Sequence, residues 1–139
     1  MSVNGTKISA SLEDYLEAIY EIIEEKQGVK AVEVSRKLGV GRSSVTEALK
    51  LLADKNLINY NRYEAISLTE NGEIAARNVI LRHNTLFAFF NHVLGLNPEE
   101  SNENACKVEH VISDSALEKL IQFVEFAKSS NCINNFKKK

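Results

Sequence analysis

The chain of 139 residues contains two cysteines, three histidines and no apolar run near the roughly 20 residues that a membrane helix needs. A small disulfide-stapled scaffold normally carries four or more cysteines, so such a scaffold is excluded. Cys132, in the polar stretch SSNCINNFKKK, reads as an ordinary free thiol. The N-terminal MSVNGTKISASLEDYLEAIY has no basic segment leading into an apolar core, which excludes a secretory signal. No address is marked, so the expected location is the cytoplasm, with no membrane partner. There is no internal repeat and no low-complexity segment.

Neither sign of charge dominates, and the formal net charge is −2. Taken alone, that argues against a polyanionic partner. The distribution reverses the argument. Between positions 36 and 62 stand Arg36, Lys37, Arg42, Lys50, Lys55 and Arg62, against only Glu47 and Asp54. Between 99 and 125 stand Glu99, Glu100, Glu103, Glu109, Asp114, Glu118 and Glu125, against Lys107 and Lys119. A basic module precedes an acidic one, and local charge sets the field that a polyanion meets.

The apolar pattern predicts a mainly α-helical protein. In SLEDYLEAIYEIIEEK, Leu12, Tyr15, Leu16, Ile19, Ile22 and Ile23 recur at helical spacing, with Ser11 as the expected cap. AVEVSRKL at 31–38 is a short second helix, and GVG at 39–41 a tight turn. RSSVTEALKLLADKN is a third helix, with Ser44 and Glu47 at capping-box spacing. Helix, glycine-containing turn and helix form a helix-turn-helix pattern. Two alternating runs, Leu57–Tyr60 and Ala65–Leu68, then predict a hairpin around NRYE. The hairpin makes the module a winged helix over 1–70, with Arg62 at the wing tip. A long helix over about 70–94, another over 97–112 and a last one over 113–130 form a second module, 71–139. NNFKKK is expected to be frayed. The apolar stripes 86–94 and 117–126 exceed what one short chain buries, which implies a homodimer.

For DNA contact the third helix is the candidate. Ser43, Ser44 and the helix N-terminus suit phosphate, while Arg42 and Thr46 suit base edges. Lys50 lies on the helix's outward face, and the wing residue Arg62 suits the backbone. The expected partner is an operator in double-stranded DNA.

NACKVEHVIS places Cys106, Glu109 and His110 at i, i+3 and i+4, on one helical face. Thiolate, carboxylate and imidazole are the common protein ligands of first-row transition metals. One helix rarely closes a coordination sphere. Asp14 and Glu17 offer a second pair at i, i+3, and His83 lies in an otherwise apolar stretch. Cys106 and His110 also suggest a nucleophile and base, but no Gly-rich oxyanion turn or third orienting group accompanies them. An enzyme is therefore not expected, nor a small-molecule substrate. The alternative is a metal-independent winged-helix regulator or protein-interaction module with vestigial ligands.

Across SLEDYLEAIYEI, VGRSSVTEALKLL, LTENGEIAARNVILRHNTL and NACKVEHVISDSALEKL, the chain resembles the diphtheria-toxin-repressor and manganese-transport-regulator family of metal-dependent transcriptional repressors. Its length is similar to that of the short branch, which lacks the C-terminal SH3-like domain. The resemblance implies a metal-activated repressor of metal-homeostasis genes. It implies Asp14, Glu17, His83, Cys106, Glu109 and His110 as metal ligands. The manganese type has a glutamate where Cys106 stands. The iron type has the cysteine, but a methionine at the position of Asp14. The iron type's ancillary site uses a glutamate and a histidine at positions held here by Phe87 and Asn102. Cysteine favours borderline ions, and carboxylates favour Mn(II) or Fe(II). Fe(II) suits both sets and ranks slightly above Mn(II), with Co(II) or Zn(II) as binders in vitro.

Overall fold

The computed structural model describes residues 8–26, 28–61 and 63–137. Packing divides them into two compact units, residues 8–78 and 79–137.

The first unit begins with α1, Ala10–Glu25. The helix starts earlier than the sequence predicts, because Ser9 and not Ser11 is the cap. Ser9 Oγ accepts from the Leu12 amide at 3.2 Å. Leu12, Tyr15, Leu16, Ala18, Ile19 and Ile22 form its buried face. Helix α2, Ala31–Leu38, is held at its start by the Lys30 amide donating to Glu33 Oε1 at 3.0 Å. The Lys26 ammonium pairs with the same carboxylate, and the two donors hold it below the usual carboxylate range. The helix ends on Gly39 at φ 67°, a left-handed conformation that glycine adopts without strain. Helix α3, Arg42–Asp54, follows with Gly41 as its cap. The expected Ser44–Glu47 capping box is absent, because both residues already lie inside the helix.

Strands β1, Ile58–Asn59, and β2, Ser67–Leu68, pair antiparallel, Ile58 with Leu68 and Asn59 with Ser67. The ladder is shorter than the alternating runs suggest. An isolated bridge between Val29 and Ile66 extends it, with the Ile66 amide donating to the Val29 carbonyl at 2.7 Å. Arg62, the expected wing-tip residue, lies outside the described residues. Leu16, Ile19, Val29, Val34, Val45, Leu49, Leu52 and Ile66 are fully buried together. Burial of each such side chain contributes roughly 1.5–3 kcal/mol. This is a winged helix-turn-helix.

Helix α4, Glu70–Ala88, starts at Thr69, whose Oγ1 accepts from the Gly72 amide at 3.0 Å and donates to the Asn56 carbonyl at 2.6 Å. The packing boundary falls within it, between residues 78 and 79.

In the second unit α4 passes into a π-helical segment, Phe89–Val93. The wider turn closes with the Leu94 amide on the Phe89 carbonyl at 2.9 Å, and Gly95 at φ 80° ends it. Helix α5, Pro98–Val108, is capped by Asn97 Oδ1, which accepts from the Glu100 amide at 2.8 Å. Asn91 Nδ2 and Ser101 Oγ both donate to the Leu96 carbonyl, at 2.9 and 3.2 Å. These two bonds fix the path of the connection into α5. Helix α6, Asp114–Ser129, is capped by Ser113. A short helix α7, Cys132–Lys137, takes in residues 134–137 of the expected frayed tail, whose last two residues lie outside the described ones. Ile133 seats it against Val93, Val124 and Ala127. Phe123 and Phe126 of α6 remain substantially exposed. No helix among the described residues is long and apolar enough to cross a membrane.

Candidate metal centre and DNA-facing helix

Three side chains of the second unit converge: His83 of α4, Cys106 of α5 and Glu109, the residue that closes α5. Their ligand atoms all lie within 4.8 Å of one another. His83 Nδ1 stands 3.0 Å from Glu109 Oε1 and 3.8 Å from Cys106 Sγ. On its other side, His83 Nε2 stands 3.0 Å from Asn102 Oδ1.

Cys106 and Glu109 share a face although α5 ends at Val108. Glu109 keeps helical dihedrals, φ −57° and ψ −28°, and its amide donates to the Ala105 carbonyl. Beyond it the chain leaves the helical path through a turn at 109–111. The sequence predicts helix to about 112, with His110 on the same face. His110 instead sits half-buried in this turn, outside the converging trio. Asp14 and Glu17 belong to the first unit. They lie one turn apart on α1, Asp14 exposed and Glu17 half-buried.

The trio fits a transition-metal ion. Nitrogen, sulfur and carboxylate oxygen are its usual protein donors. Metal–ligand bonds of about 2.0–2.3 Å place neighbouring ligands about 3–3.8 Å apart. The observed separations of 3.0 and 3.8 Å match that spacing. Glu109 is 1% exposed, and its Oε2 is buried without a hydrogen-bond partner among the described residues. A buried carboxylate oxygen left unpaired is unfavourable, and a cation is the group that would satisfy it.

In the first unit, Arg42, Ser43 and Ser44 are exposed in the first turn of α3. Lys50 is exposed further along. Thr46 is half-buried, and its Oγ1 donates to the Arg42 carbonyl at 3.0 Å. Arg42, Val45 and Thr46 line a cleft of about 270 Å³ with Ala31 and Val32 of α2. Asn102 was not among the predicted site residues. The resemblance places it where the iron type keeps an ancillary-site histidine, but its partner His83, 19 residues away, is not visible from local sequence.

Residues 7–66 match the family model "Iron dependent repressor, N-terminal DNA binding domain". Residues 69–135 match "Iron dependent repressor, metal binding and dimerisation domain". An uncharacterized HTH-type transcriptional regulator of Methanocaldococcus jannaschii is 40% identical over 119 residues, covering 85% of this chain and 95% of that relative. The HTH-type transcriptional regulator MntR of Bacillus pumilus is 29% identical, covering 87% of this chain and 83% of that one. The solved structure of the manganese regulator SloR superposes with a TM-score of 0.74 at 27% identity. That match covers 87% of this chain and 55% of SloR, so the chain spans little more than half of that regulator. The chain belongs to the iron-dependent repressor family of metal-dependent, DNA-binding transcriptional regulators.

Proposed function

We propose that this protein is a metal-activated repressor that reads Fe(II) or Mn(II), with Fe(II) slightly favoured, and binds operator DNA as a homodimer. The observation that carries the metal reading is the trio of His83, Cys106 and Glu109, with the buried Oε2 of Glu109 unpaired. His83 contributes an imidazole nitrogen, Cys106 a thiolate and Glu109 a carboxylate. Three donors leave coordination positions open. We assign these to Asp14 and Glu17 of α1 and to His110.

When bound, the ion supplies a fixed positive centre with directed bonds to its donors. Without it, the like charges of Asp14, Glu17 and Glu109 repel one another. Donors drawn from both units converge in one arrangement only, so ligand binding shifts the population toward that arrangement. The α3 helices of a dimer must then enter successive major grooves about one helical turn, or a multiple, apart. Arg42 and Thr46 are assigned to base edges. Ser43, Ser44, Lys50 and Arg62 are assigned to the phosphate backbone. The exposed Phe123 and Phe126 of α6 are the apolar surface assigned to the dimer contact.

The test is binding of a labelled promoter fragment to metal-free protein, then after anaerobic Fe(II) or Mn(II), then after chelator. Binding should rise with metal and fall with chelator. Equal binding in all three conditions overturns the proposal. Titrating the two ions separately against DNA retention ranks them.

A further inference from the structure

His83 offers its two ring nitrogens to different neighbours. Nδ1 faces Glu109 Oε1 at 3.0 Å and Cys106 Sγ at 3.8 Å. Nε2 faces Asn102 Oδ1 at 3.0 Å. Asn102 lies on α5 one turn before Cys106 and two turns before Glu109. The three therefore project from one helical face onto the same imidazole.

An amide oxygen accepts hydrogen bonds and cannot donate them. The contact with Asn102 therefore calls for a proton on Nε2, and the contact of Nδ1 with the Glu109 carboxylate, which also only accepts, calls for a proton there or for a cation in its place. With a cation in place of the second proton, Nε2 keeps its proton for Asn102 and Nδ1 is the nitrogen whose lone pair lies on the side of the carboxylate and the thiol. A metal-ligating imidazole commonly donates its other N–H to such an outer acceptor, which fixes both tautomer and ring orientation. Glu109 and Cys106 cannot hold the ring this way, because both approach Nδ1.

We propose that Asn102 is a positioning residue of the metal centre, its side-chain carbonyl holding His83 in the Nε2–H tautomer so that Nδ1 is the ligating nitrogen. This rests on the reading of His83 as a ligand, and the experiment separates the two.

Metal-free full-length protein is titrated with Co(II) and binding is read from the visible absorption of the bound ion. Asn102→Leu removes the acceptor at similar volume. Its affinity for Co(II) should fall by about 10–100-fold, the usual consequence of deleting an outer partner of a metal ligand. Asn102→Asp keeps an acceptor at the same place and should bind Co(II) at least as tightly as the parent protein. A purely structural role for Asn102 would not give this rescue. In Zn(II)-loaded protein labelled with ¹⁵N-histidine, Nδ1 of His83 should be the metal-bound nitrogen and Nε2 the protonated one. This measurement needs no variant.

His83→Gln provides the separation. Unchanged Co(II) affinity in His83→Gln removes His83 as a ligand, and the inference with it. Weakened affinity in His83→Gln, with Asn102→Leu binding like the parent, overturns the inference alone. Coordination through Nε2 overturns it as well.

Discussion

Replacing Glu109 with glutamine should separate the stability of the metal-free protein from its response to metal. The side chain is almost wholly buried, with Oε1 against His83 and Oε2 unpaired. Glutamine keeps the shape and retains one carbonyl oxygen near His83 Nδ1. It removes the charge that a cation needs. Without metal, the variant should therefore match the parent within about 1 kcal/mol, because no cavity opens and a buried charge is removed. With metal the two should diverge. A ligand present at 100 times its dissociation constant stabilises the native state by about 2.7 kcal/mol. If loss of the carboxylate weakens binding 100-fold, the same metal concentration yields only about 0.4 kcal/mol. In a domain of this size the parent's midpoint should rise on the order of 10 °C on adding Mn(II), and the variant's by about 2 °C. Thermal unfolding followed by far-UV circular dichroism, with and without Mn(II), reads both quantities. A variant that keeps the full metal-induced rise would show that the ion sits elsewhere. A metal-free variant that loses several kcal/mol would show that Glu109 serves the fold and not the ion.

Two further perturbations test other parts of the molecule. Gly72→Ala should destabilise the protein although alanine is the better helix former by about 1 kcal/mol. A Cβ at Gly72 would lie 1.8 Å from the Leu57 carbonyl oxygen, and that backbone is held by the Thr69 amide. The overpacking cost of about 1–3 kcal/mol or more should win in a urea titration, and a rise in midpoint would refute the packing at the start of α4. Lys50→Ala should weaken DNA binding across all sequences and reduce the slope of log K against log salt by about 0.9, as loss of one phosphate contact requires. An unchanged slope would remove Lys50 from the interface.

Much of the fold was legible because the strongest signals are periodic. Leu12, Tyr15, Leu16, Ile19 and Ile22 repeat at helical spacing and all five are buried. Element ends were harder. Ser9 and Ser11 both precede the same apolar run, and only the hydrogen bond to Leu12 distinguishes them. The end of α5 was misread for a physical reason. KVEHVIS has no glycine or proline to stop a helix, and the structure ends it in a turn at 109–111 ahead of the new cap at Ser113. The π-helical turn at Phe89–Val93 adds a residue that no apolar period reveals in so short a segment. Within the candidate site, the pairing of Cys106 with Glu109 was visible as an i, i+3 spacing. Their meeting with His83 depends on how α4 packs on α5, which local sequence does not encode. The contact between Asn102 and His83 depends on the same packing.

The gradient of exposure across the trio bears on how such a site can switch. Glu109 is buried, the His83 side chain is 18% exposed, and Cys106 is exposed. A cation approaching from solvent meets the thiol first and reaches the carboxylate last. The buried end is where a side chain has least access to solvent, since Glu109 is as buried as the aliphatic core. It is also where a cation would have most to satisfy, because the buried Oε2 has no hydrogen-bond partner among the described residues. A sequence shaped for stability alone would place an apolar residue there. Retaining glutamate keeps the metal-free state at a disadvantage that a cation relieves. If the trio holds the ion as proposed, the free energy of binding would be released at Glu109, the most buried donor, while the exposed thiol would keep the solvent side open.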